Sequence, residues 1–256
     1  MGEIILIEAH NLVKRYGDKL AVNNVSLDVH GGEVFGFLGP NGAGKTTTIK
    51  MIVGLLQPTS GTVKVAGYDV QSHPLDAKAA SGYVPDAPNL YAKLTGRELL
   101  RFVGDLYGLD RKQASQRSDE LLRVLDLSGA ADNTIDSYSH GMQQKASLAA
   151  ALMHDPKVLV LDEPTVGLDP KSARLIKDIL RQMAERGAAV FLSTHILEIA
   201  ERMCDRIGII NQGELVAVGS MDELRSLGKA GEVSLEDIFL GLTGGAEEAE
   251  IAEILK

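Results

Sequence analysis

Nine residues, GPNGAGKTT from Gly39 to Thr47, constrain this chain more than any other stretch. They lie between the apolar run VFGFL and the segment IKMIVGLL. Three glycines and a lysine there make a poor core segment and an odd surface turn. The stretch fits G-x-x-x-x-G-K-[ST], and strand, glycine loop and helix is the order that a phosphate-binding loop requires. Glycine at 39, 42 and 44 permits backbone angles that side chains forbid, so successive N–H groups can converge on one anion. The following helix adds its positive end. Lys45 can reach β- and γ-phosphates, and the Thr46 hydroxyl can ligate Mg²⁺. The loop is therefore expected to hold a nucleoside triphosphate.

Such a loop does not separate kinases, GTPases, helicases and transport ATPases, so the rest of the chain has to. IILIEA, LAVNNVSLDV and TVKVAG are β-rich, and GG, GT and AGYD punctuate them. TTTIKMIVGLL is expected to be a helix running from the loop to just before Pro58. From about Leu94 to about Met153 helical patterns dominate, in GRELLRFVGDLYGL, QASQRSDELLRVLDL and GMQQKASLAAALM, with SGAADN as a break. After Pro156 strands return in KVLVLDEP and AAVFLST, alternating with helices RLIKDILRQMAERG and ILEIAERMCD. RIGIINQGELVAVG reads as a hairpin. This alternation implies a largely parallel sheet wrapped by helices, with the middle helical stretch inserted between its halves.

Composition narrows the function classes. No run approaches the roughly 18 consecutive apolar residues of a membrane span. One cysteine, Cys204, rules out an internal disulfide. The formal net charge of -9 is uneven. Beyond Gly231, Glu232, Glu236, Asp237, Glu247, Glu248, Glu250 and Glu253 stand against Lys256 alone. That acidic end reads as a solvated face or a frayed terminus. With no basic block anywhere, no nucleic-acid partner is expected.

VLVLDEP supplies a second motif. Asp162 ends an apolar strand, the place for a carboxylate on the Mg²⁺ shell of a triphosphate. Glu163 follows it. Adjacent side chains of an extended stretch point to opposite sides, but at a strand terminus both can lean towards the nucleotide. One carboxylate can then organise metal while the other activates water.

The order GPNGAGKTT, YSHGMQQK, VLVLDEPTVGLDP and STH resembles the ATP-binding cassette family of transport ATPases, from about Ile4 to about Gly241. The resemblance implies an α/β fold. Its P-loop NTPase (RecA-like) core has a mostly parallel sheet, an N-terminal antiparallel β subdomain and an inserted helical subdomain. The cassette is expected over residues 4–234, the helical subdomain at about 87–155, and an acidic helical tail at 235–256.

ATP and Mg²⁺ are the implied ligands. Gly39, Pro40, Asn41, Gly42, Ala43, Gly44, Lys45, Thr46 and Thr47 are expected on the ATP, and Lys45, Glu163 and His195 are the implied catalytic residues. His195, after VFLST, matches the switch histidine that orients the attacking water with Glu163. Tyr16, in KRYG, matches the aromatic that stacks on adenine. Ser139 and Gly141, in YSHGM, match the signature usually written LSGGQ and are implied to grip ATP held by a second copy. Tyr138, His140 and Met142 depart from that consensus. Asp169, in GLDP, matches a loop at the same dimer interface. Thr46, Asp162 and Asp86 are the metal candidates. Asp86, in YVPDAPNLY, stands where the family commonly has glutamine. An aspartate oxygen can ligate Mg²⁺, or the residue can serve a turn between Pro85 and Pro88.

The implied activity is ATP hydrolysis coupled to transport. Two ATPase subunits, as a homodimer or a heterodimer, would act on separate transmembrane permease subunits at the cytoplasmic face of a bacterial membrane. YSHGM, Asp86 and the closing SLEDIFLGLTGG resemble the ATPases of bacterial exporters of drugs, antibiotics and lipids. A cassette ATPase acting on ribosomes or DNA is the competing reading. Such relatives usually carry two cassettes or a long coiled-coil insertion, and this chain has neither.

Overall fold

The structure, a computed structural model, describes residues 4–227 and 234–243. Its first strands, β1 (Ile5–Tyr16) and β2 (Lys19–His30), form a long antiparallel hairpin. With β4 (Ser60–Val65) and β5 (Tyr68–Asp69) they make a four-stranded antiparallel sheet ordered β2-β1-β4-β5. A second, six-stranded sheet takes β3 (Val34–Leu38), β6 (Ser81–Val84), β7 (Val158–Asp162), β8 (Ala189–Thr194), β9 (Arg206–Asn211) and β10 (Glu214–Ser220). Its order is β10-β9-β3-β8-β7-β6, and every pair is parallel except the β9–β10 hairpin.

β3, β7 and β8 are buried at every position, as strands covered on both faces must be. Strand alternation divides their side chains between two cores. Val158, Val160, Phe35, Phe37 and Phe191 pack towards the antiparallel sheet and α1 (Lys45–Ile52). Phe191 lies 5.6 Å from Phe35 and 5.4 Å from Phe37, ring to ring. Leu159, Leu161, Leu38, Val190 and Leu192 join the core on the other face.

Helix α2 (Pro74–Ala79) precedes β6, while α3 (Gly96–Leu106), α4 (Arg111–Val124) and α5 (His140–Leu152) fall between β6 and β7. The inserted helices start on side-chain caps: Thr95 with Glu98 in a capping box, Asp110, and Ser139. Leu99, Leu100, Leu121, Leu122 and Leu125 bury the apolar stripe of α3 and the end of α4. α6 (Pro170–Glu185) and α7 (Leu197–Met203) flank β8, and α8 (Met221–Leu227) follows β10.

Three details differ from the sequence reading. Helix α1 stops at Ile52 instead of running to Pro58. Gly54 turns left-handed (φ 67°), and its N–H bonds Met51 O at 3.1 Å while Leu55 and Leu56 both return to Lys50 O at 2.9 Å, a glycine-dependent helix stop. SGYV is too short and mixed to announce a strand, yet it forms β6 beside β7. Gly82 permits that position, because a Cβ there would sit 2.5 Å from Ala151 O. The acidic end is neither wholly solvated nor frayed where it is described. In α9 (Leu235–Thr243), Leu235 and Ile238 are buried one turn apart while Glu236 and Asp237 face water. Glu232 and residues 244–256 lie outside the described residues. Among the described residues no helix is long and apolar enough to cross a membrane.

Candidate nucleotide site

The glycine loop links β3 to α1. Gly42 and Gly44 take φ of 80° and 110°, values that side chains disfavour. A Cβ on Gly44 would also lie 2.7 Å from Ala21 O. Gly44 is the N-cap of α1 and brings no side chain to it. The first-turn amides of Lys45, Thr46 and Thr47 therefore keep their donor capacity for something else. Lys45, only 7% exposed, donates to Gly39 O at 2.6 Å and Pro40 O at 3.3 Å, and stands 3.5 Å from Glu163 Oε1.

At the end of β7 the backbone resolves how two neighbouring acids serve one site. Asp162 is 2% exposed and accepts a 2.5 Å hydrogen bond from Ser193 Oγ on β8. Glu163 leaves the extended region, with φ 50°, so strand alternation no longer sends its side chain to the opposite face. Its N–H is held by Ser193 Oγ at 3.2 Å and Ser193 O at 3.3 Å. Glu163 Oε1 meets His195 Nδ1 at 3.0 Å. Its Oε2 is buried and has no hydrogen-bond partner among the described residues. Such an oxygen calls for a donor, from water or a ligand.

These groups enclose a cavity of about 310 Å³. Tyr16, Lys19 and Ala21 form one wall, Pro40, Asn41, Gly42, Gly44, Lys45, Thr46 and Thr47 the next, and Asp86, Asp162 and Glu163 the last. Tyr16 is half exposed, with Lys14 Nζ 5.2 Å from its ring centre. His195 joins through Glu163. Gly39 and Ala43 stand behind the lining: Gly39 supplies its carbonyl to Lys45 and packs against Ile210 O, while Ala43 is buried. Three carboxylates thus face two ammonium groups. Nearby, burial pushes the Tyr83 phenol up to about 12, and Asp162 and Asp86 add to that shift. The Thr46 hydroxyl and the Asp86 and Asp162 carboxylates are hard oxygen donors. They suit Mg²⁺, which takes one or two carboxylates and completes its shell with phosphate and water.

Ser139, Gly141 and Asp169 lie outside this lining. Ser139 Oγ caps α5 by accepting from Met142 N at 3.3 Å. A Cβ on Gly141 would be 3.4 Å from Leu168 Cδ2, and a Cβ on Gly167 (φ 73°) would lie 3.2 Å from His140 Cδ2. Asp169 caps α6, accepting from Ser172 Oγ at 2.6 Å and Ser172 N at 3.0 Å. Those bonds, the hydroxyl's first, hold its carboxyl below the usual range. Tyr138 is buried, and its hydroxyl donates to Ala130 O at 2.8 Å. Its departure from the family leucine therefore belongs to subdomain packing. Sequence reasoning missed Ser193 and Lys19. The first could have been flagged by its place two residues before His195, the second by its place three residues after Tyr16, across the Gly17–Asp18 turn.

A glycine loop with its lysine and an acidic pair, set on a parallel sheet, define a P-loop nucleoside triphosphatase. The family model described as ABC transporter matches residues 22–166. The linearmycin resistance ATP-binding protein LnrL of Bacillus subtilis (strain 168) is 43% identical over 221 residues, 86% of this chain and 71% of that protein. A Nod factor export ATP-binding protein I, of Burkholderia lata, is 44% identical over 84% of this chain and 70% of its own length. Among solved structures, an ATP-binding subunit of an ABC transporter superposes with a TM-score of 0.88 at 34% identity, covering 93% of this chain and 99% of that one. The cassette MJ0796, a dimer in a post-hydrolysis state with ADP and Pi, superposes with a TM-score of 0.78 at 26% identity, covering 84% of this chain and 99% of its own. The chain belongs to the ABC transporter family, as one of its ATP-binding, ATP-hydrolysing subunits.

Proposed function

We propose that this subunit drives export through separate transmembrane permease subunits, docked peripherally at the cytoplasmic face of the membrane. The resistance and export functions named for its relatives support that direction. The observation that carries the catalytic reading is the run Lys45–Glu163–His195, joined at 3.5 and 3.0 Å on one side of the cavity.

Tyr16 stacks on the adenine, and the loop amides with Lys45 take the β- and γ-phosphates. Thr46, Asp162 and Asp86 would hold Mg²⁺, which neutralises charge on those phosphates. Glu163 accepts a hydrogen bond from the attacking water and then its proton, while His195 fixes the carboxylate. Water oxygen bonds to the γ-phosphorus as the bond to the bridging β–γ oxygen breaks, leaving ADP and phosphate. Ser139 and Gly141, outside this cavity, serve the ATP of a second copy, and Asp169 lies at the seam. Closing and opening of that pair moves the permease.

Cell fractionation tests the assignment. With its permease subunits present the chain is expected in the membrane fraction, and Glu163→Gln should stay there without turnover. Recovery with ribosomes or DNA instead would contradict it.

A further inference from the structure

The wall that joins Tyr16 to the phosphate loop carries a cation with no role so far. Lys19 is the cross-strand partner of Tyr16 at the tip of the β1–β2 hairpin. Lys19 and Ala21 lie two residues apart on β2, so they share a face, and both line the cavity. Ala21 marks the far end of that wall, because its carbonyl closes on Gly44 at the start of α1. Lys19 thus stands between the aromatic ring and the loop that takes the outer phosphates. Its side chain is exposed, and among the described residues it makes no hydrogen bond or ion pair. Lys45, the other cation of the lining, sits at the loop itself, bonded to Gly39 O and Pro40 O beside Glu163, and serves the outer phosphates.

Charge gives this placement a use. The cavity presents Asp86, Asp162 and Glu163 to a ligand that is itself strongly anionic, so a further cation in the lining offsets part of that repulsion. A flexible ammonium suits a point contact with a phosphate oxygen. We propose that Lys19 binds the α-phosphate of the nucleotide, the phosphate nearest the ring on Tyr16. The inference rests on the ATP-site reading above. It makes Lys19 a binding residue whose contact is shared by substrate and product, since ATP, ADP and AMP all carry that phosphate. It therefore tightens ground-state binding without favouring the transition state, and acts on KM while sparing kcat.

The test measures displacement of a fluorescent adenine nucleotide from the full chain by ATP, ADP, AMP and adenosine, alongside steady-state ATP hydrolysis. Lys19→Ala is expected to weaken ATP, ADP and AMP by one common factor of about five to ten, the size of a charge-assisted hydrogen bond at an exposed site. Adenosine should bind with its wild-type affinity, kcat should hold, and Lys19→Arg should restore most of the affinity. Wild-type affinity in Lys19→Ala would overturn the inference. An equal loss with adenosine would overturn it too, because Lys19 would then act by shaping the hairpin under Tyr16. A loss confined to ATP would move the contact to the γ-phosphate and reject the assignment. Wild-type chain that binds no adenine nucleotide would remove the site reading itself, a distinct failure visible before any variant is made.

Discussion

Helices α1 and α5 both begin where a triphosphate is expected, yet their first turns are finished in different ways. Helix α1 starts at Gly44, a left-handed glycine with no side chain to offer, and its first residues Lys45, Thr46 and Thr47 line the cavity. Helix α5 starts at Ser139, whose hydroxyl already accepts from Met142 N. The first terminus is incomplete alone and is finished by an anion. The second is satisfied within its own chain and must share its serine to reach a ligand. On the proposed reading, the uncapped helix start is the primary nucleotide site, and the capped one belongs to a surface that joins when a second copy brings its ATP.

The largest break in this comparison comes from Lys45. Lys45→Ala should reduce ATP turnover at least about a thousandfold by removing preorganised charge from the phosphates, read as phosphate release at saturating ATP. If turnover persists, α1 is not the primary site. Ser139→Ala should act on both of its roles. Losing the cap lowers stability by about 1 kcal/mol, measured by urea unfolding, and turnover should fall about tenfold through the lost hydroxyl contact. A stability loss with unchanged turnover would leave Ser139 as a cap only. Tyr138→Phe sharpens the contrast from the other side. It removes the bond to Ala130 O, costing about 1 kcal/mol of stability, while turnover stays at the wild-type level. Slowed turnover at unchanged stability would make Tyr138 a nucleotide contact after all.

The parts of the site that chemistry restricts to few residue types were legible in the sequence. Gly42 and Gly44 have to be glycine at their positive φ values, and Lys45 and Asp162 carry charges whose place in strand and helix follows from the local pattern. The parts set by register were not. Ser193 reaches Asp162 because β7 and β8 align those two residues. Lys19 reaches the cavity because it pairs with Tyr16. The bend at Glu163, held by Ser193 on the adjacent strand, depends on a contact thirty residues away. The same holds for β6, whose four residues become a strand only because β7 lies beside them. Helix α1 was overextended because apolar periodicity continues past Gly54, whereas the backbone turns there.

The difference between the two helix starts is tested most directly by the mass of Glu163→Gln in solution. With hydrolysis blocked and the cavity otherwise intact, sedimentation at saturating ATP and Mg²⁺ should show twice the mass found without nucleotide. An unchanged monomer under those conditions, with ATP demonstrably bound, would contradict the shared role of Ser139 and Gly141.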